Sequence, residues 1–207
     1  MRGARLSFWF EFASTYSYLA AMRIEPLARA AGVCVAWRPF LLGPIFQAQG
    51  WGTSPFNLYP AKGRHMWRDM ERQAEKLGLA PLVRPDPFPQ NGLLAARVAC
   101  LGEGAGWLPD FVRGVFAAEF AEARDIGDTK VLEGVLDGLG QDGAGLVERA
   151  GREQAVKDRL RRATEEAQAL GIFGAPSFVT GDGELFWGND RLEDALDWAA
   201  TRSGISA

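Results

Sequence analysis

The stretch LSFWFEFASTYSYLA, Leu6 to Ala20, changes character at Ser14. Leu6 to Phe12 is a short run of apolar and aromatic residues, the signal of a buried strand. From Thr15 the pattern is helical: Tyr18, Leu19, Met22, Leu27 and Ala28 fall near one face, and the helix is expected to reach Ala31. Pro26 inside it predicts a kink and Gly32 predicts its end. Val33 to Trp37 reads as a second strand, closed by Arg38-Pro39. The chain therefore opens β-α-β, with a serine at the first strand-to-helix corner.

Beyond that unit, residues 40–60 are rich in Gly, Pro, Ser and Asn and predict an irregular loop, a kind of segment that often carries function. Helices are expected over Lys62–Leu77, Gly92–Leu101, Pro109–Ala123, Thr129–Gly138, Gln141–Ala150 and Arg152–Leu170. The proline-rich PDPFP at 85–89 forbids a helix between the first two. Gly102, Gly104 and Gly106 follow a helix, so they read as a helix-helix turn and not as a phosphate loop. After Gly171 the strand signal returns in Ser177–Thr180, a Gly181-Asp182-Gly183 turn and Glu184–Trp187. Asn189–Thr201 closes the chain as an amphipathic helix. This order defines an α/β chain, a thioredoxin-like fold with a large all-helical insertion after the second strand. Residues 1–39 and 171–207 form the discontinuous thioredoxin-like domain, and residues 40–170 the helical insertion domain.

The 207 residues, 47% hydrophobic and 24% charged, supply an ordinary globular core. Seven Trp and thirteen Phe predict an aromatic core or an aromatic-lined pocket. A net charge of −3 argues against a nucleic-acid partner. Arg159, Arg161 and Arg162 lie beside Glu165 and Glu166 and read as a solvated helix face. Cys34 and Cys100 are far apart in apolar surroundings and are expected as buried free thiols. With a single histidine, His65, and no clustered cysteines, no metal site is expected. His65 itself reads as a structural or surface residue. No apolar run reaches the length of a membrane span, and the N-terminal segment lacks a signal-peptide pattern, so the expectation is a soluble, cytoplasmic protein without a membrane partner.

The chemistry-bearing candidates begin at Ser14-Thr15-Tyr16-Ser17. In thioredoxin-like oxidoreductases this corner holds the reactive cysteine, whose pKa the helix N-terminus lowers. Serines stand here at both cysteine positions. A serine hydroxyl exchanges no disulfides, but it can donate a hydrogen bond to a thiolate brought by a ligand. A hydrogen bond to a charged group contributes about 1.5–3 kcal/mol, and one pKa unit is about 1.4 kcal/mol. That is enough to ionise a large fraction of a thiol whose free pKa is about 8.5. Ser14 as a plain helix N-cap is the alternative. Gly174-Ala175-Pro176 precedes the third strand, where a cis proline would face the corner, an ordinary trans proline being the alternative. Trp187-Gly188-Asn189-Asp190 could cap the last helix, or receive a carboxylate at its N-terminus while Asp190 pairs with an ammonium. An α-amino acid end, such as the γ-glutamyl arm of glutathione, needs both. Lys62 could reach the other carboxylate of that tripeptide, although a surface lysine would look the same.

The segments FEFASTYSYLA, PAKGRHMWRDMER, FPQNGLLAAR, GIFGAPSF and FWGNDRLEDAL together resemble the 2-hydroxychromene-2-carboxylate isomerase family, in order and over nearly the whole chain. That family groups with kappa-class glutathione transferases and is distantly similar to DsbA. The resemblance implies glutathione as cofactor and a cis-trans isomerisation of a small aromatic substrate, interconverting 2-hydroxychromene-2-carboxylate and trans-o-hydroxybenzylidenepyruvate in aromatic degradation. It implies a homodimer as well. Ser14 would be the catalytic residue that holds the glutathione sulfur. Ala175 and Pro176 would bind the cysteinyl backbone, Trp187, Gly188, Asn189 and Asp190 the γ-glutamyl end, and Lys62 would be a further contact. Gln47, Asn57, Gln90 and Asn91 would line the second-substrate pocket. The chain departs from the family's pattern at Thr15, where a proline is usual, at Phe46-Gln47, where a lysine is expected, and at Gly52 and His65. The same resemblance leaves open a kappa-like transferase or peroxidase, or a glutathione-binding protein without turnover.

Overall fold

The computed structural model describes residues 3–202, so the outermost ends of the thioredoxin-like segments, 1–2 and 203–207, lie outside it. Strand β1 (Ala4–Phe10) leads to helix α1 (Thr15–Ala31), and strand β2 (Val33–Pro39) returns parallel to β1. After the helical block come strand β3 (Ser177–Thr180), paired antiparallel to β1, and strand β4 (Leu185–Trp187), paired antiparallel to β3. The sheet order is β2-β1-β3-β4.

Strand β1 lies inside the sheet and is covered on both faces, which is why its sequence is nearly all apolar. Leu6, Phe8 and Phe10 are fully buried in the main core, where Phe8 meets Trp37 and Phe178. Trp9 points the other way, into a second cluster with Phe40, Ala163, Ala167 and Val179. Truncating such a ring to alanine costs roughly 3–5 kcal/mol. The edge position of β2 explains one departure from expectation: Cys34 is exposed, while Cys100 is buried as predicted. Along β2 the buried Val33 and Trp37 face the core and Cys34 falls on the other side.

The helical block comprises α2 (Leu42–Ala48), α3 (Pro55–Leu58), α4 (Pro60–Lys76), α5 (Leu93–Leu101), α6 (Leu108–Phe120), α7 (Thr129–Gly138), α8 (Gly143–Arg152) and α9 (Gln154–Ala169). Residues 40–60 are therefore not wholly irregular. Pro55 sits in the first turn of α3, where its missing N–H costs nothing, and Ser54 Oγ accepts from the Phe56 N–H. The main core runs without a break from β1 through α1 into α5, α6 and α7, so both segments of the chain share it. The hairpin at 181–183 forms as expected, with Thr180 N–H donating to Glu184 O at 3.0 Å.

Helix α1 begins where the sequence turns. Ser14 caps it by accepting from the Ser17 N–H, and Gly32 ends it at φ +68°, donating to Ala28 O and Arg29 O. The helix runs on through Pro26. At the other end of the chain, a 3-10 turn (Asn189–Arg191) leads into α10 (Leu192–Arg202), which packs on α1 and β1.

Candidate active site

A cleft of about 1860 Å³ opens between the N-terminus of α1, the approach to β3, the 3-10 turn before α10, and the α2–α4 segment. A single small-molecule pocket is usually about 300–1,000 Å³, so this one has room for two ligands side by side. Ser14 is one of the residues that line it. Its hydroxyl donates to Ala175 O at 2.9 Å while accepting from the Ser17 N–H at 3.2 Å. The Ala175-Pro176 bond is cis, as are Asp86-Pro87 and Phe88-Pro89. The corner and the cis proline, far apart in sequence, are thus in direct contact. Ser17 is different: it is fully buried, its hydroxyl has no partner among the described residues, and it does not line the cleft. Only the first serine of the pair can meet a ligand.

The wall beside Ser14 is built around Trp187. Gly188 follows at φ +110°, a conformation that favours glycine, and the chain turns there into Asn189 and Asp190. Asn189 does not cap the helix through its side chain. Its Oδ1 accepts from Arg23 Nε at 3.0 Å and its backbone carbonyl from the same guanidinium at 2.7 Å. Arg23, on α1, also pairs with Glu193. The Asp190 side chain is exposed at the cleft, with Arg191 at 3.5 Å. Gly174 is as constrained as Gly188: a Cβ there would lie 2.4 Å from Trp187 Nε1. Phe173 and Trp187 pack as tilted rings with centroids 4.8 Å apart and are both about half exposed at the rim.

Across the cleft the lining is apolar and aromatic: Leu41, Leu42, Phe46, Trp51, Phe56, Phe88 and Leu93. Lys62 lies at this mouth with its ammonium over the Tyr59 ring. His65 also lines it, as does Asp69, which accepts from Tyr16 Oη at 3.0 Å. Burial and then the Asp69 charge hold the Tyr16 phenol well above its ordinary pKa, so it stays a neutral hydrogen-bond donor.

The structure brings most of the expected residues to this one cleft: Ser14, Gln47, Lys62, Gln90, Asn91, Ala175, Trp187, Gly188, Asn189 and Asp190 all line it. Pro176 stands behind Ala175. Asn57 is exposed and does not line the cleft; its amide donates to Phe88 O at 3.0 Å and to Thr53 Oγ1 at 3.3 Å, so it braces the wall from outside. Gln90 is buried and committed to the Ile126 N–H at 3.0 Å. Residues not anticipated from sequence are Arg23, Gly174, Asp69 and Glu11. Burial pushes the Glu11 carboxyl up to about 7, against the opposing hydrogen bond from the Ala13 N–H. Its signal was in plain view: an acid inside an otherwise apolar aromatic run. Among the described residues no group of His, Cys, Asp and Glu is arranged to hold a metal ion, and no helix is long and apolar enough to cross a membrane.

Fold and corner define the class: the chain belongs to the DSBA-like thioredoxin domain family, whose model matches residues 5–197. Within that class it is similar to 2-hydroxychromene-2-carboxylate isomerases. The enzyme of that name from Sphingobium xenophagum is 32% identical over 189 residues, covering 91% of this chain and 94% of the relative. A solved structure of a 2-hydroxychromene-2-carboxylate isomerase superposes with a TM-score of 0.83 at 26% identity, covering 98% of this chain and 100% of the other. Glutathione S-transferase kappa 1 of Caenorhabditis elegans is 26% identical, over 93% of this chain and 89% of its own.

Proposed function

We propose that this protein binds glutathione beside Ser14 and uses it as the cofactor of a cis-trans isomerisation of the 2-hydroxychromene-2-carboxylate type. The observation that carries this reading is the contact between Ser14 and the carbonyl of Ala175 in the lining of a cleft of about 1860 Å³. Bound there, glutathione would supply a thiolate able to add to a conjugated double bond and leave again once the bond has rotated. The chain's own part is to hold that sulfur and the substrate. Ser14 turns its hydroxyl from Ala175 O toward the sulfur, and the α1 N-terminus adds a favourable field of about 0.3–1 kcal/mol. Ala175 offers its backbone to an extended peptide. Asp190 offers a carboxylate to an ammonium, and Arg23 fixes the turn that carries it. Gly174 and Gly188 leave room for the Trp187 indole and the Asp190 carboxylate in that wall. The apolar wall of Phe46, Trp51 and Phe88 suits a flat aromatic substrate.

Calorimetric titration tests the cofactor: saturable binding of glutathione at up to millimolar concentration is expected, and no heat would remove the reading. The similarity to the kappa transferase favours a second reading, in which glutathione is consumed. Total free thiol separates the two, since it stays constant during isomerisation and falls during conjugation.

A further inference from the structure

The floor of the cleft carries an acid with no part in holding the thiol. The Ser14 N–H donates to the Glu11 carbonyl at 3.0 Å, so the backbone that carries this acid is tied directly to Ser14. A Cβ at Gly92 would fall 3.5 Å from Glu11 Oε1 and 3.0 Å from Phe12 Cβ, so the glycine leaves the space this acid occupies. Glu11, Gly92 and Ser14 all line the cleft. Glu119 of α6 lies within electrostatic reach of Glu11. It is fully buried, and among the described residues neither of its oxygens has a hydrogen-bond partner. Asp125, in the loop after α6, is the other acid of the group. Among the described residues no cation pairs with Glu11 or Glu119.

We propose that Glu11 is an acid-base catalyst of this cleft, donating its proton to the carbonyl oxygen of a bound conjugated electrophile and taking it back when the double bond re-forms. The assignment rests on the function proposed above. As a nucleophile's electron pair enters the far carbon of the conjugated system, the π pair moves to the carbonyl oxygen. The Glu11 O–H bond breaks with its electrons left on the carboxylate, and the proton bonds to that oxygen. The enol so formed has a single bond where the double bond was, free to rotate. On the return, Glu11 recovers the proton, the double bond re-forms and the nucleophile departs with its electron pair, so nothing is consumed. A carboxyl that titrates near neutrality is matched to both directions of transfer. Burial sets Glu11 there. Glu119, held well above the carboxylate range by burial and by the Glu11 and Asp125 charges, stays neutral and adds no competing charge behind it.

Two measurements test this. In the ligand-free protein, a protonated-carboxyl infrared band should titrate near neutral pH and vanish in E11Q. In turnover, E11Q should lower kcat by roughly 10²–10³-fold and abolish the alkaline fall of the kcat–pH profile. Glutathione affinity should stay within about twofold, and E11D should restore part of the rate with a displaced alkaline limb. An infrared titration unchanged by E11Q, or E11Q turnover close to that of the parent with the alkaline limb intact, overturns the assignment while leaving glutathione binding in place. Failure of the parent protein to bind glutathione overturns the underlying function and this assignment with it.

Discussion

One wall of the cleft is tied together by residues far apart in sequence, the other by residues closer together. On the first, Ser14 reaches Ala175 and Arg23 reaches Asn189, so α1, the approach to β3 and the turn before α10 are bound into one piece. On the second, α2 and α3 are short, and the bracing contacts run from Asn57 to Thr53, four residues away, and to Phe88, 31 residues away, against 161 and 166 across the first. The first wall resembles a rigid fixture for a constant ligand. The second is a replaceable apolar surface, and its departures from the isomerase pattern, Gln47 and Gly52, fall on it. Under the proposed function, the cofactor half and the substrate half should therefore respond to mutation separately.

Among the groups that hold the two ligands, the largest effect should come from Ser14→Ala. Losing a hydrogen bond to a charged sulfur, about 1.5–3 kcal/mol, should lower turnover roughly 10- to 150-fold. The lost N-cap should cost about 1 kcal/mol of stability in a denaturant titration. Turnover unchanged beside that stability loss would reduce Ser14 to a cap. Next is Gly174→Ala: its Cβ would meet Trp187 Nε1 at 2.4 Å and force the indole out of the cleft wall. Glutathione binding measured by calorimetry should weaken by about tenfold. Trp51→Ala sharpens the contrast from the other side. It should raise KM for the second substrate several-fold and leave glutathione affinity unchanged; equal losses of both would show that the walls are not independent.

The smallest effect concerns stability. The folded carboxyls of Glu11 and Glu119 bind protons more tightly than ordinary carboxylates. The folded state thus holds more protons than the unfolded one, and stability falls as pH rises above the ordinary carboxylate value of 4.5. For Glu11 the loss sets in there and continues as pH rises through its folded value of about 7. Glu119→Gln should raise the Tm at pH 8 more than at pH 5. A Tm gain equal at both would place the effect outside ionisation.

The fold was legible because β1 is apolar on both faces and Ser14 marks a sharp change of periodicity. The Ala175-Pro176 and Trp187–Asp190 motifs could be placed because each sits at the edge of a recognisable strand. Other features depend on tertiary contact. Arg23 looks like any exposed helix arginine until α10 packs against α1. Cys34 looks buried until β2 proves to be an edge strand. Asn189 has a capping residue's sequence position but gives its side chain to Arg23. The helices α2 and α3 were hidden by Gly43, Pro44 and Pro55, residues that discourage a helix in general but are accommodated in first turns. Glu11 shows the converse, since its isolation among aromatics was visible while the depth that shifts its titration was not.

The central claim is that Ser14 holds an ionised thiol supplied by glutathione. Its most direct test is the thiolate absorbance of glutathione bound to the protein, titrated against pH in the parent protein and in Ser14→Ala. The thiol should ionise at least one unit below its free value of about 8.5 in the parent and return toward that value in the variant. The same pKa in both proteins, or no bound glutathione to titrate, would contradict it.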